Sequence, residues 1–553
     1  MTSTLKRMFY HQGWTISASL IALLVSLPII SVVFLALFPE ENAWPHLLDT
    51  VLPSYVKNTL ILMAGVGTLS LLIGTGAAWL VSMYDFPAKK YLSWALLLPF
   101  AVPAYVIAYV YTDLLEFAGP VQTSLRTLMA WTSAKDYWFP SIRSMGGAII
   151  MMSLVLYPYV YMLARAAFLE QSVSLYRVSR SLGESPFGFF IRVSLPIARP
   201  ALAVGVSLVL METLNDFGTV DYFAVRTLTA GLYDTWLNMG NLGGAAQIAV
   251  LMVVVVVILI TLERYSRRKQ KQYHSRNHGD PIPTVRLTGA KAYLATGLVA
   301  IPIVLGFIIP ISILGHYAYD NFSRSFDGHF LSYTLNSFGL ATSAAFITLL
   351  LGVVLTYTKR IKPSAGTQAL VNISSLGYAI PGAVLAIGII VPFAAFDNLI
   401  DGFMRDYFQF STGLILSGTA FAIMFSYSVR FLAVASGSVE SSLSKVTPNM
   451  DMAARSLGHS QFQTLIRIHL PIIQKGALTG MLVVFVDCLK ELPATLILRP
   501  FNFETLATQV YQFASDELIQ QSALPALVIV LVGIIPIILL DKSINRKPNS
   551  SQR

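Results

Sequence analysis

Long apolar stretches recur along the whole chain, separated by short polar connections. Twelve of them are long enough to cross a bilayer, since a helix needs about 20 mainly apolar residues to span its hydrocarbon core. The predicted spans are 15–38, 56–83, 91–115, 145–168, 200–220, 245–262, 292–315, 334–357, 368–394, 412–435, 477–498 and 523–540. The pattern therefore predicts an all-α membrane protein with about 12 transmembrane helices.

The distribution of Lys and Arg orients these spans. With the N-terminus in the cytoplasm, 27 basic residues fall in inside segments and seven in outside loops. Basic residues are retained on the cytoplasmic side of a membrane, so both termini are predicted to be cytoplasmic. The first span follows Lys6-Arg7 without a convincing small-residue cleavage site, which favours an uncleaved helix over a signal peptide.

Composition and charge support a membrane protein. Of the 553 residues, 55% are hydrophobic and 12% charged, whereas soluble domains carry about 25% charged residues. A water-soluble enzyme is excluded on this ground. The net charge of +10 is explained by the excess of Lys and Arg in the cytoplasmic segments rather than by a nucleic acid partner. The single cysteine, Cys488, permits no intrachain disulfide and no cysteine metal cluster.

The chain contains two similar halves on either side of a basic linker at 263–291. Tyr55-Val-Lys-Asn58-Thr-Leu corresponds to Tyr333-Thr-Leu-Asn336-Ser-Phe, 278 positions later, and Pro103 corresponds to Pro381 at the same offset. An even number of spans separates equivalent points, so the halves have the same orientation. We predict two parallel six-helix repeats related by an axis along the membrane normal.

A helix–glycine–helix element occurs once in each half, at an offset of 275. The glycine suits a helix C-cap with positive φ, and Ser185-Pro186 suits the start of the next helix. That helix carries an apolar stripe of Phe187, Phe190 and Ile191, and it is expected to end at Leu195-Pro196. In the second copy, Phe462, Leu465 and Ile466 form the same stripe. The element either packs on the protein's own spans or docks into a soluble partner. Its shared residues are Arg180, Ser181, Leu182, Gly183, Leu195 and Pro196 in the first copy and Arg455, Ser456, Leu457, Gly458, Leu470 and Pro471 in the second.

A glycine followed at +12 and +13 by Leu-Pro resembles the coupling-loop signature, or EAA loop, of binding-protein-dependent ABC importer permeases. The resemblance implies a multi-pass protein of the bacterial cell inner membrane, with coupling helices seated in two copies of an ABC ATPase subunit and a periplasmic substrate-binding protein as further partner. The family's Glu-Ala-Ala corresponds to Arg177-Val178-Ser179 and to Met452-Ala453-Ala454, so neither copy keeps the acidic residue, although Asp451 lies one position away.

The resemblance also implies a domain organisation of two fused type I permease domains. The chain lacks G-x-x-x-x-G-K-[ST], so ATP hydrolysis is expected in a partner subunit, and this chain is expected to bind no cofactor and to have no enzymatic activity. The predicted parts are 1–54 with the first helix, 55–262 as the first ABC transmembrane type-1 domain, the linker 263–291, 292–332 with helix 7 and an outer loop, 333–541 as the second domain, and a cytoplasmic tail at 542–553.

Ionisable residues interrupt the apolar span that follows each loop. Charges inside a membrane are costly, and they face a cavity or pair with one another. They either line a transport path, whose carboxylate, amide and Tyr oxygens would suit hard cations, or they pair structurally, with Lys490 neutralising Asp487 or Glu491. The candidate path residues are Glu212, Asn215 and Asp216 in the first copy and Asp487, Lys490 and Glu491 in the second.

The substrate is indicated by a narrower resemblance. Residues 211–241 and 485–517 resemble segments of permeases for ferric iron, whose importers receive Fe(III) from a periplasmic protein. Fused permeases for thiamine have a similar layout, so thiamine or another small solute stays an alternative. An ion-coupled secondary transporter is the alternative of a different class, and it would show nested inverted repeats of three spans. No metal ligand set is assigned, and His274 and His278 are interpreted as solvated linker residues.

Overall fold

The computed structural model describes residues 2–267 and 284–544, with side chains at 12–266 and 284–538. The centre of the predicted linker, with His274 and His278, and the end of the predicted tail lie outside the described residues. Within the described residues, the only strands are β1 (Tyr84–Asp85) and β2 (Val285–Arg286), which pair in parallel. Nearly all other regular structure is helical.

Thirteen α-helices precede the linker and thirteen follow it within the described ranges. Before the linker they are α1 (Thr2–Leu37), α2 (Trp44–Asp49), α3 (Leu52–Met83), α4 (Lys89–Ala95), α5 (Ala104–Leu115), α6 (Pro120–Met129), α7 (Met145–Leu169), α8 (Val173–Ser181), α9 (Pro186–Phe189), α10 (Leu195–Asn215), α11 (Gly218–Tyr222), α12 (Leu228–Tyr233) and α13 (Leu242–Arg267). After it they are α14 (Ala290–Ile303), α15 (Ile309–Asp320), α16 (Phe322–Ser325), α17 (Gly328–Ile361), α18 (Ala365–Ser374), α19 (Gly382–Phe408), α20 (Ala420–Leu443), α21 (Pro448–Ser456), α22 (Gln461–Thr464), α23 (Leu470–Leu489), α24 (Pro493–Leu498), α25 (Leu506–Ser515) and α26 (Ile519–Ile544).

Tighter and wider helical turns join some of these helices. The 3₁₀ turns are Leu98–Ala101 and Leu376–Ala379, and the π-turns are Phe190–Ser194, Asp234–Asn238, Val304–Ile308 and Leu465–His469.

The described residues contain 11 helices that are long and apolar enough to cross a membrane. A twelfth span results if Lys89–Ala101 and Ala104–Met129, which are bent by 93° relative to each other, are counted together. The all-α class with about 12 transmembrane helices is thus confirmed. The cytoplasmic location of both termini stays a prediction.

Two predicted spans, 91–115 and 368–394, are interrupted by a proline. Val102 and Ile380 are extended, with ψ of 119° and 130°, because the residue before proline is disfavoured in the helical region. The helix therefore restarts at Ala104 in the first half and at Gly382 in the second, and α19 runs to Phe408, beyond the predicted end.

The structure forms two compact units that do not coincide with the sequence halves. Unit 1 contains the described residues of 1–44, 232–250 and 328–509, and unit 2 those of 45–231, 251–327 and 510–553. Each unit combines the central helices of one half with outer helices of the other. The domain boundaries at 55–262 and 333–541 describe the repeat in the sequence, and as folding domains they stay a prediction.

The central helices pack alike in the two units. In unit 2, α3, α7 and α10 contact one another, as do α17, α20 and α23 in unit 1, where α1 lies along α17, α18 and α19. A Cβ at Gly74 would lie 2.9 Å from the Tyr157 carbonyl of α7, and one at Gly352 would lie 3.0 Å from the Ser436 nitrogen of α20. These glycines are 278 positions apart, so the repeat includes a pair of equivalent points at which its helices approach closely.

Candidate coupling loops and transport path

Each helix–glycine–helix element turns at its glycine as the sequence predicts. Gly183 has a φ of 86° and Gly458 a φ of 78°, in the left-handed region that closes many helix C-termini. In the first copy, Gly183 N donates to the Arg180 carbonyl at 3.1 Å and Glu184 N to the Ser179 carbonyl at 3.1 Å. Gly458 N and the following nitrogen make the equivalent bonds in the second copy. The two loops therefore share one backbone geometry.

A serine caps the helix after each glycine. Ser185 Oγ accepts a hydrogen bond from Gly188 N at 2.9 Å, which satisfies one of the free donors of that helix start. Ser460 does the same for Gln463 N at 3.2 Å, and the Gln463 side chain accepts from Ser460 N at 2.9 Å, completing a capping box. The entry angle of each helix is fixed by these bonds.

In the apolar stripe of each helix, two residues are exposed and the third packs against the rest of the chain. Phe187 and Ile191 are 66% and 48% exposed, and their counterparts Phe462 and Ile466 are 57% and 45% exposed. The third member packs inward, as the Phe190 ring lies 4.5 Å from that of Trp79. Leu465 is likewise buried in unit 1. One member of each stripe thus packs on the chain itself, an exposed i, i+4 apolar pair remains on each loop, and its docking into a partner stays a prediction.

The expectation that this helix ends at Leu195-Pro196 is wrong. The helix continues as one span from Pro186 to Asn215, and its counterpart from Gln461 to Leu489, so the predicted spans 200–220 and 477–498 are shifted along the chain. Proline lacks an N–H and clashes with the preceding turn of an α-helix. A π-turn lies directly before Leu195 and another before Leu470, and this wider turn lets each helix continue past its proline.

The ends of the two loops are braced by different charges. Glu184 forms an ion pair with Arg192 at 2.6 Å, and its carbonyl accepts from Arg180. In the second copy, Asp451 accepts from Arg360 at 2.8 Å and lies 2.6 Å from His469 Nε2. Asp451, one position from the motif's acidic residue, is therefore engaged within unit 1.

The candidate path residues of the second copy form ion pairs. Lys490 Nζ lies 2.9 Å from Asp487 Oδ1. Glu491 Oε1 lies 2.9 Å from Arg430 Nη1, and both residues are 5% exposed. Glu491 also accepts from Ala494 N at 3.0 Å, at the start of α24. These contacts favour the structural interpretation for this copy.

Sequence reasoning missed Arg430. It lies within the predicted span 412–435, and an isolated charge in such a span indicates a buried partner or a functional role. That signal is present in the sequence, but the partner, 61 residues away between α23 and α24, cannot be identified from spacing alone.

The first copy has a different charge balance. Asp216 accepts from Thr219 N at 3.0 Å and Val220 N at 3.2 Å, so it caps α11 much as Glu491 caps α24. Val155 stands where the second copy has Arg430. Residues 211–224 contain three carboxylates and no basic residue, whereas 486–499 contain two acidic and two basic residues. Glu212 is half-buried and Asn215 is buried beside Asp216. Negative charge is concentrated in the first copy.

Among the described residues, no group of three or more His, Cys, Asp or Glu side chains is placed to hold a metal ion. Cys488 lies buried within unit 1. The described nitrogen, sulfur and carboxylate ligands thus form no metal site by themselves.

Comparison with known proteins identifies the class. The family described as "Binding-protein-dependent transport system inner membrane component" matches residues 70–272 and again 348–549. The chain belongs to this family of ABC importer permeases, and it carries the family's domain twice. It is a multi-pass membrane protein of a class that works with an ATPase and a substrate-binding protein.

Individual relatives refine the comparison. The chain is 26% identical over 491 residues to the "Fe(3+)-transport system permease protein FbpB 2" of Haemophilus influenzae, covering 88% of this chain and 89% of that protein. It is 23% identical to the "Putative ferric transport system permease protein FbpB 1" of the same organism, over 86% of this chain and 74% of the relative. The "Molybdenum transport system permease protein ModB" of Escherichia coli is 26% identical over 33% of this chain and 79% of its own length.

Proposed function

We propose that this chain forms the translocation pathway for ferric iron in an ABC importer of the bacterial inner membrane. A periplasmic binding protein delivers the iron, and two copies of an ATPase subunit drive its passage. The chain itself hydrolyses no ATP and binds no cofactor, and ATP is used by the partner subunit. Three features support the proposal: the surfaces of the coupling loops, the continuity of each loop helix with a membrane span, and the observations that favour iron. The surfaces of the coupling loops are the main support.

The loops present two matching docking surfaces, one per copy. The exposed pairs Phe187–Ile191 and Phe462–Ile466 lie in the first turns of helices that begin three residues after a left-handed glycine. Exposed apolar side chains at i, i+4 are the usual anchors of a helix that inserts into a groove on a partner. Two equivalent surfaces call for two equivalent partners, which is why we propose a pair of ATPase subunits.

Continuity of the helix supports mechanical coupling. The docking helix of each copy runs without a break into a membrane span, from Pro186 to Asn215 and from Gln461 to Leu489. A displacement of the loop by the ATPase is therefore carried directly to the end of the span, where Asp216 and Glu491 cap the next short helices. ATP-driven alternating access needs such a two-state connection.

Ferric iron is favoured as the substrate by two independent observations. Relatives named for ferric transport align over most of this chain. The first copy concentrates three carboxylates in residues 211–224, and oxygen ligands suit hard cations. Thiamine or another small solute is the alternative for the same kind of importer.

The test is radioiron uptake by cells that lack the gene, with thiamine uptake measured in the same cells. We expect iron uptake to fall and to recover when the gene is restored, with thiamine uptake unchanged. Lost thiamine uptake with normal iron uptake would overturn the substrate assignment. Purification in detergent should capture an ATPase subunit, whereas proton-driven uptake without such a subunit would support a secondary transporter.

A further inference from the structure

Three tyrosines and an aspartate from distant segments converge in unit 2. Tyr109 lies on α5, Tyr222 at the end of α11, and Tyr511 on α25. The rings of Tyr109 and Tyr222 are 4.5 Å apart and nearly perpendicular. The Tyr511 hydroxyl donates to Asp221 Oδ2 at 2.7 Å, and Asp221 directly precedes Tyr222. We call Tyr109, Tyr222, Tyr511 and Asp221 the oxygen cluster.

Two hydroxyls of this cluster are buried and unsatisfied. Tyr109 is 2% exposed, and its hydroxyl has no hydrogen-bond partner in the described part of the chain. The Tyr222 hydroxyl is also buried without a partner among the described residues. A buried polar group left in this way costs about 1–3 kcal/mol. Such groups are rare in native proteins, and a bound ion is one of the explanations for them.

The repeat accounts for only one member of the oxygen cluster, Tyr511, which corresponds to Tyr233. At the positions of the second half that correspond to Tyr109, Asp221 and Tyr222, the chain has Ile387, Leu496 and Ile497. The second half adopts the same helices with these apolar residues, so the fold does not require the oxygens. Residues 211–224, which supply part of the cluster, also lack any basic side chain.

The nearest described cation does not give this region a positive charge. The Arg143 guanidinium lies 4.8 Å from the Tyr222 ring centre. The same group lies 2.5 Å from a Glu116 oxygen and 3.8 Å from a Glu517 oxygen. Two carboxylates therefore offset its single charge, and the electrostatics beside Tyr222 still favour a cation.

We propose that the oxygen cluster is a transient binding site for the Fe(III) cargo, an inference that rests on the proposed function. Phenolate and carboxylate are hard oxygen ligands, and tyrosine is a known ligand of iron in proteins. As each phenol binds, its O–H bond breaks, an Fe–O bond forms and one proton passes to water. The iron stays Fe(III) throughout, so no electron donor is needed.

The experiment uses the purified full-length chain titrated with Fe(III) nitrilotriacetate. Iron bound by phenolate gives a visible charge-transfer absorption band, and we expect this band in the wild-type protein. It should be strongly weakened in the double variant Tyr109→Phe/Tyr222→Phe, which keeps only Tyr511 of the three phenols. The matched control is Tyr233→Phe, at the position of the other half that corresponds to Tyr511. Its hydroxyl donates to the Pro493 carbonyl in unit 1, so the control should keep the band.

Absence of the band in the wild type, an undiminished band in the double variant, or an equal decrease in the control would each overturn the proposal. In cells, the double variant should import radioiron about tenfold or more slowly at equal abundance, the usual effect of weakening a metal site. Normal uptake by this variant would overturn the site but leave iron transport intact. Normal iron uptake by cells lacking the whole gene would instead overturn the proposed function.

Discussion

The Asn58 side-chain amide donates a 3.0 Å hydrogen bond to the carbonyl of Arg226, 168 residues further along the chain. Asn336 makes the same bond to the Glu504 carbonyl at 3.1 Å, across the same separation of 168 residues. Thr59 and Ser337, which directly follow these two asparagines, each accept a hydrogen bond from a backbone nitrogen. An Asn-Thr or Asn-Ser pair on a spanning helix thus holds the segment that follows the candidate path residues.

Replacing Thr59 by Val should destabilise the protein by about 1–3 kcal/mol. Thr59 Oγ1 accepts from Leu228 N at 2.9 Å, and both residues are buried, so the isosteric change leaves that nitrogen unsatisfied. Thermal unfolding of the purified protein measures the effect. Thr127→Val is the control, because Thr127 is exposed and bonds only within its own helix. Equal effects of the two substitutions would contradict the role of Thr59.

Replacing Gly183 and Gly458 by Val should abolish iron uptake. No atom lies within 4 Å of a Cβ built at either glycine, so the change acts through the backbone. A left-handed residue other than glycine costs about 1–2 kcal/mol, and β-branched residues are the least tolerant. The loops then lose the turn that orients their docking helices.

Radioiron uptake and ATP hydrolysis in reconstituted vesicles measure this uncoupling. The variant Gly183→Asn/Gly458→Asn is the matched control, since asparagine adopts the left-handed conformation more readily, and it should retain transport. Normal uptake by the double Val variant at normal membrane abundance would refute the coupling role of these loops.

Replacing Arg430 by Met should destabilise the protein by about 3–5 kcal/mol. Arg430 and Glu491 are both 5% exposed, and removal of one partner leaves the other as an uncompensated buried charge. The additional change Glu491→Gln should restore part of the loss, because no buried charge then remains at this site. Abundance and the unfolding temperature in detergent measure both steps, and a double variant less stable than the single one would contradict this account.

Introducing charge on the exposed apolar pairs should prevent capture of the ATPase. Ile191 and Ile466 are 48% and 45% exposed, so Ile191→Glu and Ile466→Glu should leave the fold intact while placing a charge in an apolar interface. Co-purification of the ATPase subunit is the readout. Leu128→Glu, at a residue 81% exposed between the predicted spans 91–115 and 145–168, controls for the added charge. Undiminished capture by the double Ile variant would show that the partner binds elsewhere.

Much of the architecture could be predicted because it depends on local patterns. Apolar length predicts the spans, and matched glycines, prolines and asparagines predict the repeat. The positive φ of Gly183 and Gly458 follows from their place between two helices. The start of α5 and of α19 was misjudged because apolar composition does not register the proline that separates two helices.

The missed parts of the site depend on contacts between distant segments. Nothing in the local sequence pairs Arg430 with Glu491, and the predicted charge interactions of Glu491 considered only its own helix. Tyr109 lies in an apolar and aromatic run that is typical of a core position, and the local sequence links it to neither Tyr222 nor Tyr511. Only their convergence in unit 2, with two hydroxyls left unsatisfied, distinguishes them from such positions.

The assignment of α1 to unit 1 has a consequence for biosynthesis. This helix is translated long before α17, α18 and α19, which begin only at Gly328, yet it lies along them. During synthesis α1 therefore enters the membrane before its packing partners exist, and the central helices of the first half are inserted in the meantime. Severing the chain within the basic linker would separate α1 from the helices it accompanies, and the fragments would have to be produced in the same cell to reassemble.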